Sequence, residues 1–90
     1  MTDSMRFTIV AVPAKEEFAE AMSKNAEDRP LLTFVVLSGS LGRVEFPVRI
    51  YTMSKYTRTG LVYFSGCDKD GLELTGNFFL PDGHGWLKFV

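Results

Sequence analysis

The sequence predicts an α+β domain: one helix packed on a curled antiparallel sheet or small open barrel, in the order β-α-β-β-β-β-β. Three observations predict it. One segment repeats its apolar residues at helical spacing, and six segments are extended. The strands after the helix are joined by connections too short for parallel neighbours. The composition, 46% hydrophobic and 23% charged over 90 residues, is that of an ordinary globular chain with length for one domain, residues 1–90.

The elements follow in order. Residues 6–12 are rich in β-branched side chains (Thr8, Ile9, Val10, Val12) and read as a strand. Pro13 suits the first position of a helix, where its missing N–H costs nothing. Glu16 and Glu17 then fall in the first turn, where the helix dipole favours negative charge. Ala14, Phe18, Ala21 and Met22 form one stripe, and the helix is expected to run to about Asn25. Residues 31–37 are nearly continuously apolar and read as a strand buried on both faces. The glycine-rich residues 38–42 connect it to the next.

Residues 43–53 alternate. Val44, Phe46, Val48, Ile50 and Thr52 face one way, and Arg43, Glu45, Pro47, Arg49, Tyr51 and Met53 the other. Pro47 cannot donate to a ladder, which predicts an edge strand or a bulge there. Residues 54–60 are a basic polar loop. Residues 61–65, 72–80 and 86–90 read as the remaining strands, with turns at 67–71, around Asp70-Gly71, and at 81–85. The core is assigned to Phe7, Phe18, Phe34, Phe46, Phe64, Phe78 and Trp86. Tyr51, Tyr56 and Phe79 are assigned outward.

The inventory narrows the chemistry. A single cysteine, Cys67, forms no internal disulfide, which points to a reducing compartment and a cytoplasmic protein. The N-terminus lacks a basic segment followed by an apolar one, and no apolar run approaches the ~20 residues that cross a bilayer. Cys67 and the single histidine, His84, fall short of a structural zinc set. His84 lies between glycines and reads as a turn residue. Ser38-Gly39-Ser40-Leu41-Gly42 lacks the Lys-Ser/Thr of a phosphate loop. Asp68-Lys69-Asp70 starts like a calcium loop, but Leu72, Glu73 and Phe79 stand where that loop needs an oxygen ligand, a glycine and a glutamate. Asp68, Asp70, Glu73 and Asp82 read as solvated acids in or beside turns. The chain is expected to be no enzyme and to need no cofactor, metal or membrane.

Charge is segregated beneath a net of −1. Residues 13–28 set Lys15 and Lys24 against Glu16, Glu17, Glu20, Glu27 and Asp28, a net of −3. Residues 43–58 set Arg43, Arg49, Lys55 and Arg58 against Glu45, a net of +3. Tyr51, Met53 and Tyr56 lie among these cations, and aromatics, Met and Arg are enriched at interface cores. Arg43, Arg49, Tyr51, Met53, Lys55, Tyr56 and Arg58 are therefore the candidate binding residues.

The favoured reading is a small protein-binding module of inhibitor or adaptor type, of the kind phages and mobile elements encode. It would contact another protein, or itself, through this edge strand and loop. The alternative is single-stranded nucleic acid on the same surface, phosphates on the cations and bases on the tyrosines. The pI of about 5.7 is below that of dedicated nucleic-acid binders. Pro47-Val48-Arg49-Ile50-Tyr51, the basic loop, and Gly60 before a strand resemble the first motif of Sm-like RNA-binding barrels. The aspartate of that motif is out of register here, since Ser65-Gly66-Cys67 precede Asp68, and the resemblance assigns no residue a role.

Overall fold

The computed structural model describes residues 5–54, 58–80 and 82–90. In chain order the elements are β1 (Arg6–Ala11), α1 (Lys15–Met22), a 3-10 turn (Ala26–Asp28), β2 (Leu32–Ser38), β3 (Gly42–Met53), β4 (Leu61–Asp68), β5 (Glu73–Phe79) and β6 (Gly85–Phe89). The strands close into a six-stranded antiparallel barrel in sequence order, with β6 returning to β1. Strand makes up 55% of the described residues and helix 13%.

This corrects the expected fold class. The protein is a mostly β, closed barrel, not an α+β domain with an open sheet or open barrel. The closure rests on pairs such as Phe7 with Leu87 and Ile9 with Gly85. Alternation marks a segment as a strand, and short connections pair consecutive strands. Neither carries a signal for the meeting of the first strand with the last.

The alternation feeds one core. Ile9, Phe34, Val36, Val48, Ile50, Val62, Leu74, Phe78 and Leu87 point inward and are fully buried, each burial contributing roughly 1.5–3 kcal/mol. Phe64 fits because β5 offers no side chain beneath its ring. A Cβ on Gly76 would come within 2.7 Å of that ring. β2 is not buried on both faces as expected. Leu32, Phe34 and Val36 are buried while Thr33 and Leu37 are exposed.

Different groups fill the two barrel ends. At one, Phe18 of α1 stacks on Phe78 with centroids 5.5 Å apart and meets Phe34 edge-on at 6.0 Å. Of the expected stripe, Phe18 and Ala21 are buried, Met22 is half-buried, and Ala14 is exposed at the N-cap. The helix begins after Ala14, whose N–H donates to the Glu17 carboxylate at 3.1 Å. It stops at Met22, short of Asn25. There the Ser23 hydroxyl donates to the Glu20 carbonyl at 2.6 Å, a local bond that competes with helical continuation. At the other end Phe7, Phe46 and Phe89 form a half-buried triangle with centroids 5.6 to 6.1 Å apart.

β3 departs from its expectation twice. It is not an edge strand along its whole length: residues 42–48 pair with β2, and residues 48–53 pair with β4. The register also shifts between Ile50 and Thr52. One extra residue reverses the faces beyond it. Met53 therefore turns in against the core rim, opposite its assignment. Thr52 turns out, where its hydroxyl is 2.6 Å from that of Ser65.

Candidate interaction surface

The structure divides the predicted 43–58 surface instead of assembling it. Arg43 lies on the outer face of β3 beside the β2–β3 hairpin, opposite Leu37. Arg58 lies exposed in the β3–β4 connection. At ~3.3 Å per strand residue, β3 alone puts ~30 Å between the two. Met53 is withdrawn into the core rim. Lys55 and Tyr56 lie outside the described residues.

Arg49 and Tyr51 do come together, on the outer wall where β3 meets β4. Arg49 is paired with Cys67, and Cys67 with Glu73. The Tyr51 phenol is raised above its ordinary value chiefly by hydrogen bonding to Cys67. Desolvation and the charges of Cys67 and Glu73 add to the rise from 10.0, and Arg49 opposes it. Cys67 points outward in the alternation yet is buried.

The sequence reading passed over Arg29, which organises this region. Its Nη1 donates to the Ile50 and Tyr51 carbonyls at 3.1 and 2.7 Å, and its Nε donates to the Lys24 carbonyl at 2.9 Å. Its own carbonyl accepts from Arg49 Nε at 2.9 Å. In the stretch of β3 that extends past the start of β2, Arg29 thus occupies the Ile50 and Tyr51 carbonyls. Of the cations read as ligand-seeking, Arg49 is bound to backbone.

The other half of β3 has no such cover. Among the described residues, 42–47 have registered partners in β2 alone. The direction of their peptide groups follows from the end of β4. The Asp68 N–H donates to the Leu72 carbonyl at 3.0 Å, within the β4–β5 hairpin. Asp68 therefore directs its backbone toward β5, and Val48 opposite it directs its own toward β2. Alternation then aims the backbone of Arg43, Glu45 and Pro47 at the open side. Pro47 has no N–H to leave unpaired there. The N–H and C=O of Arg43 and Glu45 face outward, and both side chains are exposed.

A second outward constellation contains a residue assigned to the core. Trp86 is half-buried on the outer wall. The Arg6 guanidinium lies 4.6 Å from its ring centroid and the Lys88 ammonium 5.8 Å. One cross-strand row runs Tyr63, Asn77, Trp86, Thr8, and Phe79 lies diagonally adjacent to both Tyr63 and Trp86. The signal was present in the sequence: Trp86 and Lys88 share a parity opposite to Leu87 and Phe89.

Asp68 and Asp82 are engaged locally, and Asp68 is buried, not solvated as expected. Asp68 Oδ1 accepts from the Asp70 and Leu72 amides at 2.8 and 2.9 Å, holding the β4–β5 turn. Asp82 Oδ1 accepts the His84 N–H at 3.0 Å, so His84 sits in a turn, exposed. Among the described residues no three His, Cys, Asp or Glu side chains gather where a metal ion could be held, and no helix is long and apolar enough to cross a membrane. Comparison with protein-family models, curated proteins and solved structures gives no match.

Proposed function

We propose that this protein is a non-catalytic binding module of inhibitor or adaptor type that works by protein–protein contact, through the open length of β3 and the hairpin that carries it. The observation that carries this reading is the one-sided pairing of residues 42–47. A closed barrel ordinarily removes its strand edges. This one keeps a stretch whose backbone donors and acceptors at Arg43 and Glu45 face outward. Leu37 and Leu41, 46% and 75% exposed, add apolar area on the same hairpin.

Position 45 provides the test. Its N–H points away from β2, so Glu45→Pro removes an outward donor without removing a ladder bond. A pull-down from the native host, treated with nuclease, should recover a protein complex with the wild type and with Glu45→Gln, and lose it with Glu45→Pro. A complex indifferent to Glu45→Pro, or one dispersed by nuclease, overturns the reading.

A second reading draws support from Trp86. A ring flanked by two cations, with Tyr63 and Phe79 beside it, suits single-stranded nucleic acid, since stacking on aromatics contributes ~1–3 kcal/mol per base. This places nucleic acid on the wall of β4, β5, β6 and β1, not on residues 43–58. Binding of a labelled oligonucleotide that weakens steeply with salt and is lost in Trp86→Ala would support it. No shift at low salt with mixed-sequence single-stranded DNA or RNA would remove it.

A further inference from the structure

The partner at the β3 edge can be specified further, on the premise that this edge is the contact surface. We infer that the edge pairs with the same edge of a second copy of the chain, antiparallel and two-fold symmetric about Val44. The segment Gly42-Arg43-Val44-Glu45-Phe46 is complementary to itself in that register. Arg43 falls opposite the partner's Glu45, and Glu45 opposite the partner's Arg43. Val44 faces the partner's Val44 across the axis. Opposite charges directly across a strand pair are stabilising, and like charges are destabilising.

Backbone and side chains give the same register independently. Arg43 and Glu45 both aim their peptide groups at the open side, as derived from the Asp68 to Leu72 bond. In the register centred on Val44 these two residues face each other. Each symmetry-related pair then exchanges its N–H and C=O groups, as an antiparallel hydrogen-bonded pair requires. Pro47 bounds the contact, because beyond Glu45 the next outward-facing residue has no donor to give.

The same charges exclude other strands. An apolar strand would bury Arg43 or Glu45 without a counter-ion. Parallel pairing in register would set Arg43 against Arg43 and Glu45 against Glu45. Specificity comes from these unfavourable alternatives as much as from the favourable pair. On the outer face the row would continue from Leu37 through Arg43 to the partner's Glu45 and the partner's Val35, joining two β2–β3 hairpins into a four-stranded sheet. So short a contact lies below the ~1,000 Å² that a stable interface clears, so a weak, concentration-dependent dimer follows.

Sedimentation velocity across a concentration series, from micromolar to millimolar, is the test. The wild type should move from monomer toward dimer, less so at high salt. Arg43→Glu and Glu45→Arg each place like charges in both symmetric pairs and should weaken association by about tenfold or more. The double variant Arg43→Glu/Glu45→Arg should regain it. An equimolar mixture of the two single variants should form a heterodimer, because both pairs are then complementary. Circular dichroism identical to the wild type confirms that each variant is folded. A wild type monomeric at millimolar concentration, or a dimer indifferent to the single reversals, overturns self-pairing. If such a monomer still loses its host complex in Glu45→Pro, self-pairing alone has failed. If the host complex ignores Glu45→Pro, the edge reading has failed with it.

Discussion

Arg29 joins two segments through one side chain: the residues following α1, at the Lys24 carbonyl, and β3, at the Ile50 and Tyr51 carbonyls. Those two carbonyls flank the register shift, where a strand cannot keep its regular ladder. A guanidinium meets the need because its donors lie in one plane and reach separate acceptors at once, whereas a lysine ammonium is a single point. Arg29→Ala should cost about 1–3 kcal/mol, since it leaves the part-buried Ile50 carbonyl without its charged donor and releases the exposed Tyr51 and Lys24 carbonyls. Arg29→Lys should recover little of that. Urea midpoints of the three proteins decide it, and a lysine variant as stable as wild type would show that charge, not the planar fork, holds the bulge. The sequence gives Arg29 no prominence. It sits in the polar run Glu27-Asp28-Arg29-Pro30, and both of its β3 acceptors are backbone atoms more than twenty residues away.

At the scale of elements, local periodicity was informative and relations between elements were not. β5 was legible: Leu74, Gly76 and Phe78 alternate with Glu73, Thr75, Asn77 and Phe79, and the inward set is the buried one. The helix was legible through Phe18 and Ala21, though its end was not, because a Ser23 hydroxyl bond decides it. β3 shows where the reading stops. Its alternation holds from Arg43 to Ile50, and then one inserted residue moves Met53 inward and Thr52 outward. A single unpaired residue changes no composition and no spacing before it, so the pattern cannot announce it. Pro47 was a sound signal at the wrong range. It does mark an edge, but the edge spans 42–47, because the staggered barrel gives β3 one neighbour at its start and another at its end. The candidate cations were similarly visible as residues but not as a patch, since a twelve-residue strand separates its two ends widely.

For the whole molecule, closure makes the last strand part of the core and not an appendage to it. β6 is short, Gly85–Phe89, yet it pairs with β1 on one side and β5 on the other. Gly85 belongs to both ladders, opposite Ile9 and Phe78. Leu87, between the two neighbouring strands, is fully buried. These contacts link positions at opposite ends of the chain, so they form only after the intervening strands have brought those ends together. An open sheet with β6 at its margin would fray there first, at little cost to the rest. A closed barrel cannot open the β1–β6 seam without exposing Ile9, Leu87 and the Phe7, Phe46 and Phe89 triangle together. Leu87→Ala is therefore expected to lower global stability by about 2–5 kcal/mol, as a core truncation does, in a single transition. Ladder amides of β1 and β6 should exchange with solvent at rates set by that same global opening, matching those of β4 and β5. Native-state hydrogen exchange on the wild type and on Leu87→Ala distinguishes the cases. Seam amides that exchange orders of magnitude faster than those of β4, with stability unchanged by the substitution, would mean that the barrel opens at the seam on its own and that closure contributes little to the fold.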